Sequence, residues 1–495
     1  MTTVLVNQFD GGVSDDPRSS DSPKCSMCKH FDIFSYPHKL VPYGGMQSDQ
    51  TTETMVGNLL IGSDGIIYGL GDDTSNANAG KQKIFKKAST DPTSAWSALA
   101  NSTSGFTVDY SCFVERQSFF YTGNQSRYIG KFDRNGVAGS NATFLDLTSY
   151  TNLSNGFVHP KDGVLYIPYD NKIASIGGSA TAAALTLPDS TYKALQPTYY
   201  GNYLAIPLVP VTGGSVSKNS LVVLWDRDTS VSTVTEVIDW GNGYLQALNN
   251  VDGVLVGVST GGSNSVTARE RDSLQVKVWN GGAPQTVIEA KNGIAAIDPK
   301  VNFVNNGRMY ISALLGPSAS SVLNANGIWS ISKNKSGRWA LALERSMTAD
   351  FSDYLFRPYC AVVSNGYTLA GYGASFGNLY VTSTSGFTFT SVYESLINHG
   401  MSNVDRIKEK QLKAVGIFTE PLTSGASVTM QYRINGGSWV TALTYSTTGG
   451  TGIELPLMGT TAAATGRDIE FRLQSTGGAQ ITGFAYEYET LKKTL

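Results

Sequence analysis

The residues best suited to bind a metal ion lie near the N-terminus. Cys25 and Cys28 are followed by His30 and then by His38. Two thiolates and two imidazoles are a ligand set that zinc accepts in tetrahedral sites. Zinc motifs of this kind usually separate the two ligand pairs by about 12 residues or more, a spacing that this segment lacks. The alternative, that the thiols are small apolar fillers, is therefore favoured, and we expect no bound metal or other cofactor.

The remaining cysteines and histidines form no recognisable catalytic set. Cys112 and Cys360 lie in runs that predict strands, so both are expected in the core. His159 precedes a proline and His399 a glycine, without a serine or cysteine nucleophile beside either, and both are predicted to be solvated turn residues. A glycosidase would need two carboxylates facing each other across a cleft, which one sequence cannot display. The chain is predicted not to be an enzyme.

The overall charge argues against several classes of function. The formal net charge is −2, and charged residues make up 15% of the 495 residues. No basic domain could neutralise phosphates, so direct nucleic-acid binding is not expected. No apolar run reaches the roughly 18 residues that a membrane span needs. The first residues also lack the charged and apolar regions of a signal peptide, so we expect synthesis in a reducing cytosol.

The composition favours short strands joined by tight turns. The chain contains 53 glycines, 25 tyrosines and 20 phenylalanines. Aromatic and β-branched side chains fit a pleated surface, and Gly and Asn adopt the positive φ angles of tight turns. We therefore predict an all-β fold.

A weak repeat runs through residues 56–404. Each copy starts with two apolar runs around a turn rich in Asn, Asp or Gly, as in NLLIGSDGIIYGLG, and a second pair of runs follows. The copies start at Asn58, Phe113, Phe157, Thr198, Ala247, Phe303 and Ala361. About four strands every 40 to 60 residues is the spacing of propeller blades. The repeat predicts a β-propeller of about seven blades.

Two turns have the pattern of a degenerate Asp-box, which joins the outer strands of blades in sialidases and many unrelated propellers. In each, Ser-x-Asp/Asn is followed by a tryptophan five residues later. The residues are Ser89, Asp91 and Trp96 in one turn, and Ser332, Asn334 and Trp339 in the other. The Asp or Asn side chain is expected to bond its own turn while the tryptophan packs beneath it. The motif is structural and argues for the fold alone.

The two ends of the chain differ from the repeat. Residues 1–55 are punctuated by Gly, Pro and Asp and predict an extended arm, which must lie on the body of the protein or on a neighbouring subunit. Residues 405–495 alternate apolar and polar side chains, as in ASVTMQYRINGGSW and GRDIEFRLQSTG. That alternation predicts a C-terminal β-sandwich.

Both ends resemble structural proteins of tailed bacteriophages. The segment from Lys29 to Tyr43 and the segments 420–439 and 466–489 carry the resemblance. It implies a virion protein, similar to tail nozzle-type proteins, whose partners are copies of itself and other tail or portal-proximal proteins. It also implies synthesis and assembly in the host cytoplasm. The arm residues implied in assembly are Phe31, Asp32, Ile33, Phe34, Leu40, Pro42 and Tyr43.

Two other functions stay open. The chain could be a host-receptor or glycan-binding tail module, with aromatic side chains stacked on sugar rings; Tyr199, Tyr200, Trp225 and Trp240 could do this or could belong to the core. It could also be a propeller-type polysaccharide hydrolase. The leading prediction is a multimeric structural component of a phage tail.

Overall fold

The structure is a computed structural model. It describes residues 1–13, 24–44, 46–49, 55–73, 81–91, 93–99, 107–135, 141–211, 218–230, 233–241, 243–260, 273–290, 294–316, 325–335, 337–346, 358–371, 379–382, 390–456 and 464–491.

Almost all regular structure in these ranges is β-strand. The first strands are β1 Thr2–Val6, β2 Cys25–Lys29, β3 Phe31–Asp32, β4 Val41–Pro42 and β5 Met46–Ser48. They are followed by β6 Met55–Ile61, β7 Ile67–Asp73, β8 Lys81–Lys87, β9 Trp96–Ala98, β10 Val108–Arg116, β11 Phe119–Asn124, β12 Tyr128–Asp133, β13 Asn141–Asp146, β14 Phe157–Val158, β15 Leu165–Tyr169, β16 Lys172–Ile176 and β17 Ala180–Thr186. Next come β18 Tyr192–Ala194, β19 Thr198–Tyr200, β20 Tyr203–Pro210, β21 Ser220–Trp225, β22 Glu236–Gly241, β23 Tyr244–Val251, β24 Val254–Thr260, β25 Leu274–Trp279, β26 Gln285–Ala290, β27 Ile294–Asn305, β28 Arg308–Gly316, β29 Ala325–Lys333 and β30 Trp339–Ser346. The last are β31 Cys360–Ser364, β32 Tyr367–Gly371, β33 Leu379–Thr382, β34 Ser391–Ser395, the helix α1 Asn403–Arg406, β35 Lys410–Thr419, β36 Ser427–Ile434, β37 Val440–Tyr445, β38 Gly452–Pro456, β39 Thr465–Gly466, β40 Ile469–Thr476 and β41 Ile481–Thr490. The predicted all-β fold is confirmed.

The chain divides into two compact units. Unit 1 consists of Met1–Met46, Trp329–Ala349 and Ser383–Leu495, and unit 2 of Gln47–Ile328 and Asp350–Thr382. Most of the predicted arm and the predicted C-terminal sandwich therefore belong to the same unit.

Unit 2 is built from small antiparallel sheets whose strands follow one another along the chain. Four sheets have the orders β6-β7-β8-β9, β10-β11-β12-β13, β14-β15-β16-β17 and β23-β24-β25-β26. Another has the order β18-β20-β21-β22, with β19 also paired to β20. β27 and β28 form a further antiparallel pair. The sheet β31-β32-β33 takes its fourth strand, β5, from the N-terminal part of the chain.

The hairpin turns explain why neighbouring strands pair. Asp252-Gly253, Asn306-Gly307 and Asn365-Gly366 each join two strands, with φ between 50° and 82° at all six residues. Two consecutive positive φ angles define the turn that matches the twist of an antiparallel pair, and Asn-Gly and Asp-Gly supply them at little cost. The Asn-Gly and Asp-Gly pairs therefore determine which strands pair, because they fix the backbone geometry of the turn between them.

The core of unit 2 lies between sheets. Four hydrophobic clusters each combine side chains of two sheets that are successive in the chain, from the β6 sheet to the β23 sheet. A fifth cluster joins Leu369 and Leu379 of the β31 sheet to Val56 and Ile67 of the β6 sheet. The last sheet of the unit thus packs against the first.

Unit 1 contains two larger strand arrays. One has the order β1-β41-β35-β38, with β39 paired to β35. In the other, β30, β2, β34, β40, β36 and β37 are neighbours in that order. Strand β2 is parallel to β30 and antiparallel to β34. Alternate residues of β36 are buried, as its period-two pattern predicts. In the part of the chain that the structure describes, no helix is long and apolar enough to span a bilayer.

Candidate functional site

The Cys/His segment does not come together as a metal site. Cys25 and Cys28 are buried in β2, and the Cys25 thiol donates to the Gly12 carbonyl at 3.3 Å. The hydrogen bond to Cys28, together with burial, raises the pKa of Cys25 far above its usual value. His30 is buried, which lowers its pKa, whereas His38 is exposed. Within the described ranges, no three His, Cys, Asp or Glu side chains are placed to hold a metal ion.

The arm residues implied in assembly are packed inside unit 1 of their own chain. Phe31, Ile33 and Leu40 are completely buried, and Phe34 and Pro42 are nearly so. These side chains are therefore already covered within one copy of the protein. Whether the arm also mediates assembly stays a prediction.

The two polar arm residues have structural contacts. The carboxylate of Asp32 accepts hydrogen bonds from the backbone N–H groups of Phe34 and Ser35, both at 3.0 Å. The ring of Tyr43 lies 4.1 Å from the guanidinium carbon of Arg345. The first contact holds a turn within the arm, and the second joins the arm to strand β30 of unit 1.

The first Asp-box-like turn connects the third and fourth strands of the β6 sheet. Asp91 accepts hydrogen bonds from the backbone N–H and the hydroxyl of Thr93, at 2.9 and 2.8 Å, and its own N–H donates to the Ser89 hydroxyl. Trp96 begins β9 and is partly buried. The side-chain-to-backbone bonding is the one that the motif predicts.

The second such turn lies between β29 and β30. Asn334 accepts a hydrogen bond from the N–H of Arg338 at 2.9 Å, and its amide donates to the Asp10 carbonyl at 2.8 Å. The Ser332 hydroxyl donates a hydrogen bond to the carbonyl of Lys333. The ammonium group of Lys333 lies 5.3 Å from the centre of the Trp339 ring. This turn therefore also holds the N-terminal segment.

A buried ion pair that the sequence analysis missed lies where β5 meets the first sheet. The Lys87 ammonium donates to both oxygens of Asp49 and to the Ser94 carbonyl, all at 2.8 Å, and the Trp96 indole donates to Asp49 at 2.6 Å. The Lys87 side chain is fully buried and Asp49 is 3% exposed. Because Asp49 follows β5 and Lys87 ends β8, the pair connects the last sheet of unit 2 to the first.

The prediction that His159 is solvated is wrong. Its side chain is fully buried, and the Arg227 guanidinium donates to its Nδ1 at 2.6 Å and to Asp162 at 2.9 Å. Burial, and then the charge of Arg227, lowers the pKa of His159. The neutral ring therefore acts as an acceptor that positions Arg227.

A related arrangement occurs two sheets earlier. Arg134 lies 3.6 Å from Asp64, which also accepts from the Tyr68 hydroxyl, as Asp162 accepts from Tyr166. In each case an Asp-Gly turn carries the carboxylate, a tyrosine follows four residues later, and an Asp-Arg pair lies at or just after the end of the third strand in the order of the next sheet. That repeated spacing is the sequence signal that could have revealed these contacts between an arginine and a turn carboxylate.

His399 is also buried, contrary to the prediction. It is 1% exposed, and the Tyr486 hydroxyl donates to its carbonyl. Burial, and then nearby Arg406, lowers the pKa of His399 to about 4. Cys112 and Cys360, in contrast, lie in the core as predicted.

The candidate sugar-stacking aromatics separate into two groups. Trp225 and Trp240 are at most 1% exposed and belong to the hydrophobic clusters, so they cannot meet a ligand. Tyr199 is 37% exposed and stacks against Phe157 with ring centres 6.2 Å apart. Tyr200 is partly buried and packs on Trp279.

Comparison with known proteins leaves the family open. No family model and no curated protein matches the chain. Among solved structures, the computationally designed Ika8 protein matches with a TM-score of 0.37 and 10% identity over 68% of this chain and 98% of that one. A chain of the Mitotic Checkpoint Complex matches with a TM-score of 0.40 and 14% identity over 69% and 94%. An exo-beta-1,3-galactanase from Phanerochaete chrysosporium matches with a TM-score of 0.29 and 11% identity over 91% and 100%. Likenesses this distant carry no argument about function.

Proposed function

We propose that the protein is a structural component of a bacteriophage virion, a multimeric tail or tail-associated protein. The observation that carries the multimeric part of the proposal is the position of β1, which is the outermost strand of its array and, among the described strands, pairs with β41 alone. An arm that ends in an open edge strand is a means of joining copies into an assembly.

The chemistry of β1 supports strand pairing with another copy. Its sequence is TTVLV, without the lysine, proline or bulge that natural edge strands use to prevent pairing. Leu5 points away from the core and is 57% exposed, while Val4 and Val6 are buried. A second β1 could therefore extend the sheet through backbone hydrogen bonds and cover Leu5.

Unit 2 fits the rigid body that such a component needs. We propose that its sheets are the blades of one seven-bladed propeller. Six sheets of four or five strands and the β27–β28 pair give seven groups, and the cluster of Leu369 with Val56 returns from the last group to the first. The strand taken from the N-terminal segment would complete the last blade. Ring closure would protect most strand edges, so that pairing is confined to chosen ones.

The assignment to a phage particle rests on the sequence resemblance of the chain ends. The structure adds that these ends occupy one compact unit, with the arm strands β1 and β2 inserted into its arrays. We infer that this unit, formed by both ends, attaches the protein to a tail ring.

The test places a charge on β1. Leu5→Lys should leave the fold intact, because the side chain is exposed, but should prevent pairing of β1 with another copy. Val237→Lys is the matched control, since Val237 is 53% exposed on β22 in unit 2. Mass photometry would report self-association, and mass spectrometry of purified particles would report incorporation.

We expect the Leu5→Lys chain to be monomeric and absent from particles, and the Val237→Lys chain to behave as wild type. Incorporation of Leu5→Lys at the wild-type level would remove the role of β1. Absence of the wild-type chain from purified particles would refute the virion assignment itself.

A further inference from the structure

A tryptophan of unit 1 lies against two arginines on the solvent side of a sheet. Trp439 directly precedes the edge strand β37 and is partly exposed. The guanidinium carbons of Arg433 and Arg472 lie 4.5 and 4.2 Å from the centre of its ring. The three residues come from three neighbouring strands or their ends, and together we call them the Trp439 platform.

Both arginines are held in place by carboxylates that are themselves buried. Arg433 donates through Nε and Nη2 to the two oxygens of Glu470, at 2.9 and 2.6 Å. Arg472 donates through Nε to Oε1 of Glu394 at 2.7 Å, and its Nη2 lies 2.5 Å from the same oxygen. Glu470 and Glu394 side chains are 4% and 10% exposed. The bidentate pair fixes the plane of the Arg433 guanidinium, and two contacts to one oxygen hold that of Arg472, so the platform is largely preorganised before any ligand arrives.

The platform has unused donors but no net charge. Among the described residues, the Nη1 groups of Arg433 and Arg472 and the Trp439 indole N–H make no hydrogen bond. Two arginines balanced by two glutamates give a formal sum of zero. An anionic ligand would thus compete with carboxylates that already occupy both guanidinium groups.

We propose that the Trp439 platform binds an uncharged saccharide. A sugar ring combines an apolar C–H face, which can pack on the part of the indole that stays accessible, with hydroxyl oxygens, which can accept from the indole N–H and the guanidinium Nη1 groups at its margin. The two arginines lie on strands β36 and β40, and Trp439 is the last residue of the connection between β36 and β37, so the sheet holds two of the three side chains in position. This proposal is independent of the assembly role of β1.

The experiment screens the purified full-length chain on a microarray of neutral oligosaccharides (glucans, galactans, mannans and chitin fragments) beside acidic glycans. The best-bound neutral sugar is then titrated calorimetrically at low and high salt. Trp439→Ala should weaken binding about tenfold or more, as loss of an aromatic contact of about 1.4 kcal/mol would do. Binding of an uncharged sugar should hardly change with salt.

Two further variants separate binding from folding. Arg472→Lys keeps the charge opposite Glu394 but loses the planar fork, so it should weaken binding while the melting temperature stays near wild type. Tyr36→Ala removes an exposed aromatic elsewhere in unit 1 and should bind as wild type. The proposal is overturned if no neutral sugar binds, if Trp439→Ala binds like wild type, or if only acidic glycans bind and high salt releases them. Capture of a protein in place of a sugar would also overturn it.

Discussion

Two buried polar residues, His399 and Lys87, should affect the free energy of unfolding in different ways. His399 and Lys87 are both almost inaccessible, yet the ring of His399 is neutral, with no hydrogen bond to its Nε2 among the described residues, while Lys87 is charged and hydrogen-bonded to Asp49 and Ser94. A buried group without a charge partner keeps its neutral form, whereas a buried charge persists only with close counter-charges and acceptors. Protonating His399 should therefore destabilise the fold, whereas for Lys87 it is removal of the charge that should do so.

Acid should destabilise the protein through His399. Its pKa is about 4 in the folded chain, against about 6.5 for an unperturbed histidine. Between these values the unfolded state binds more protons, so stability is complete above pH 6.5 and falls as the pH drops, by about 3 kcal/mol at pH 4. His399→Gln should flatten this part of the urea-unfolding profile between pH 7 and pH 4. The exposed His38→Gln should not, and equal slopes in all three proteins would contradict the prediction.

Removing the Lys87 ammonium should strongly lower the free energy of unfolding. Lys87→Met leaves the buried Asp49 carboxylate without its counter-charge, a change that typically costs about 3 to 5 kcal/mol. The same substitution at Lys218, which pairs with Asp189 at 3.0 Å on the surface, should have little effect. Denaturant unfolding of both variants provides the comparison. Similar midpoints for the two would show that the buried pair contributes no more than a surface one.

At the scale of elements, strands supplied from the N-terminal segment complete arrays built by later parts of the chain. β1 adds to β41, β2 lies between β30 and β34, and β5 completes the β31 sheet. Each insertion needs close approach of backbones. Gly12 shows this directly, because a Cβ there would lie 3.0 Å from the Ala340 Cβ and from the Leu341 backbone nitrogen.

Gly12→Ala should therefore loosen the arm. Gly12 has a φ of 73°, so alanine pays a conformational cost as well as a steric one. Gly436, with a φ of 71° and nothing near its would-be Cβ, is the matched control for the conformational part. We expect Gly12→Ala to be less stable than Gly436→Ala by about 1 to 2 kcal/mol in urea unfolding. Equal losses would mean that the arm can move away from β30 at no cost.

At the scale of the whole molecule, the count of sheets in unit 2 is the testable quantity. If its seven groups form one propeller, cryo-EM class averages of the purified chain should contain a disc with seven lobes. Six or eight lobes, or an open arc, would contradict the proposed ring. The Asp49→Ala variant, which removes the link between the last and first sheets, should lower the melting temperature of the chain more than the surface change Asp189→Ala.

The sequence alone was sufficient for the fold class and for the hairpins. Turns such as Asn306-Gly307 and the alternation in β36 act over a few residues, so their effect can be recognised locally. The core positions of Cys112 and Cys360 followed from the same local patterns. The weak repeat predicts about seven blades, and whether the sheets of unit 2 form one ring stays a proposal.

Only the tertiary structure decided which polar residues are buried and where the arm lies. Asp49 and Lys87 are 38 residues apart, Asp162 and Arg227 are 65 apart, and Asp10 meets Asn334 across 324 residues. The local sequence around His159 or His399 is that of an exposed turn, and burial comes from segments that pack on it from elsewhere. The cluster of Trp439 with its two arginine neighbours could likewise not be predicted, because only the sheet order brings the strands of these arginines beside it. Cys25 and Cys28, the residues with the clearest chemical pattern, proved to be strand residues covered by the surrounding sheet, since packing and not spacing determines whether ligands converge.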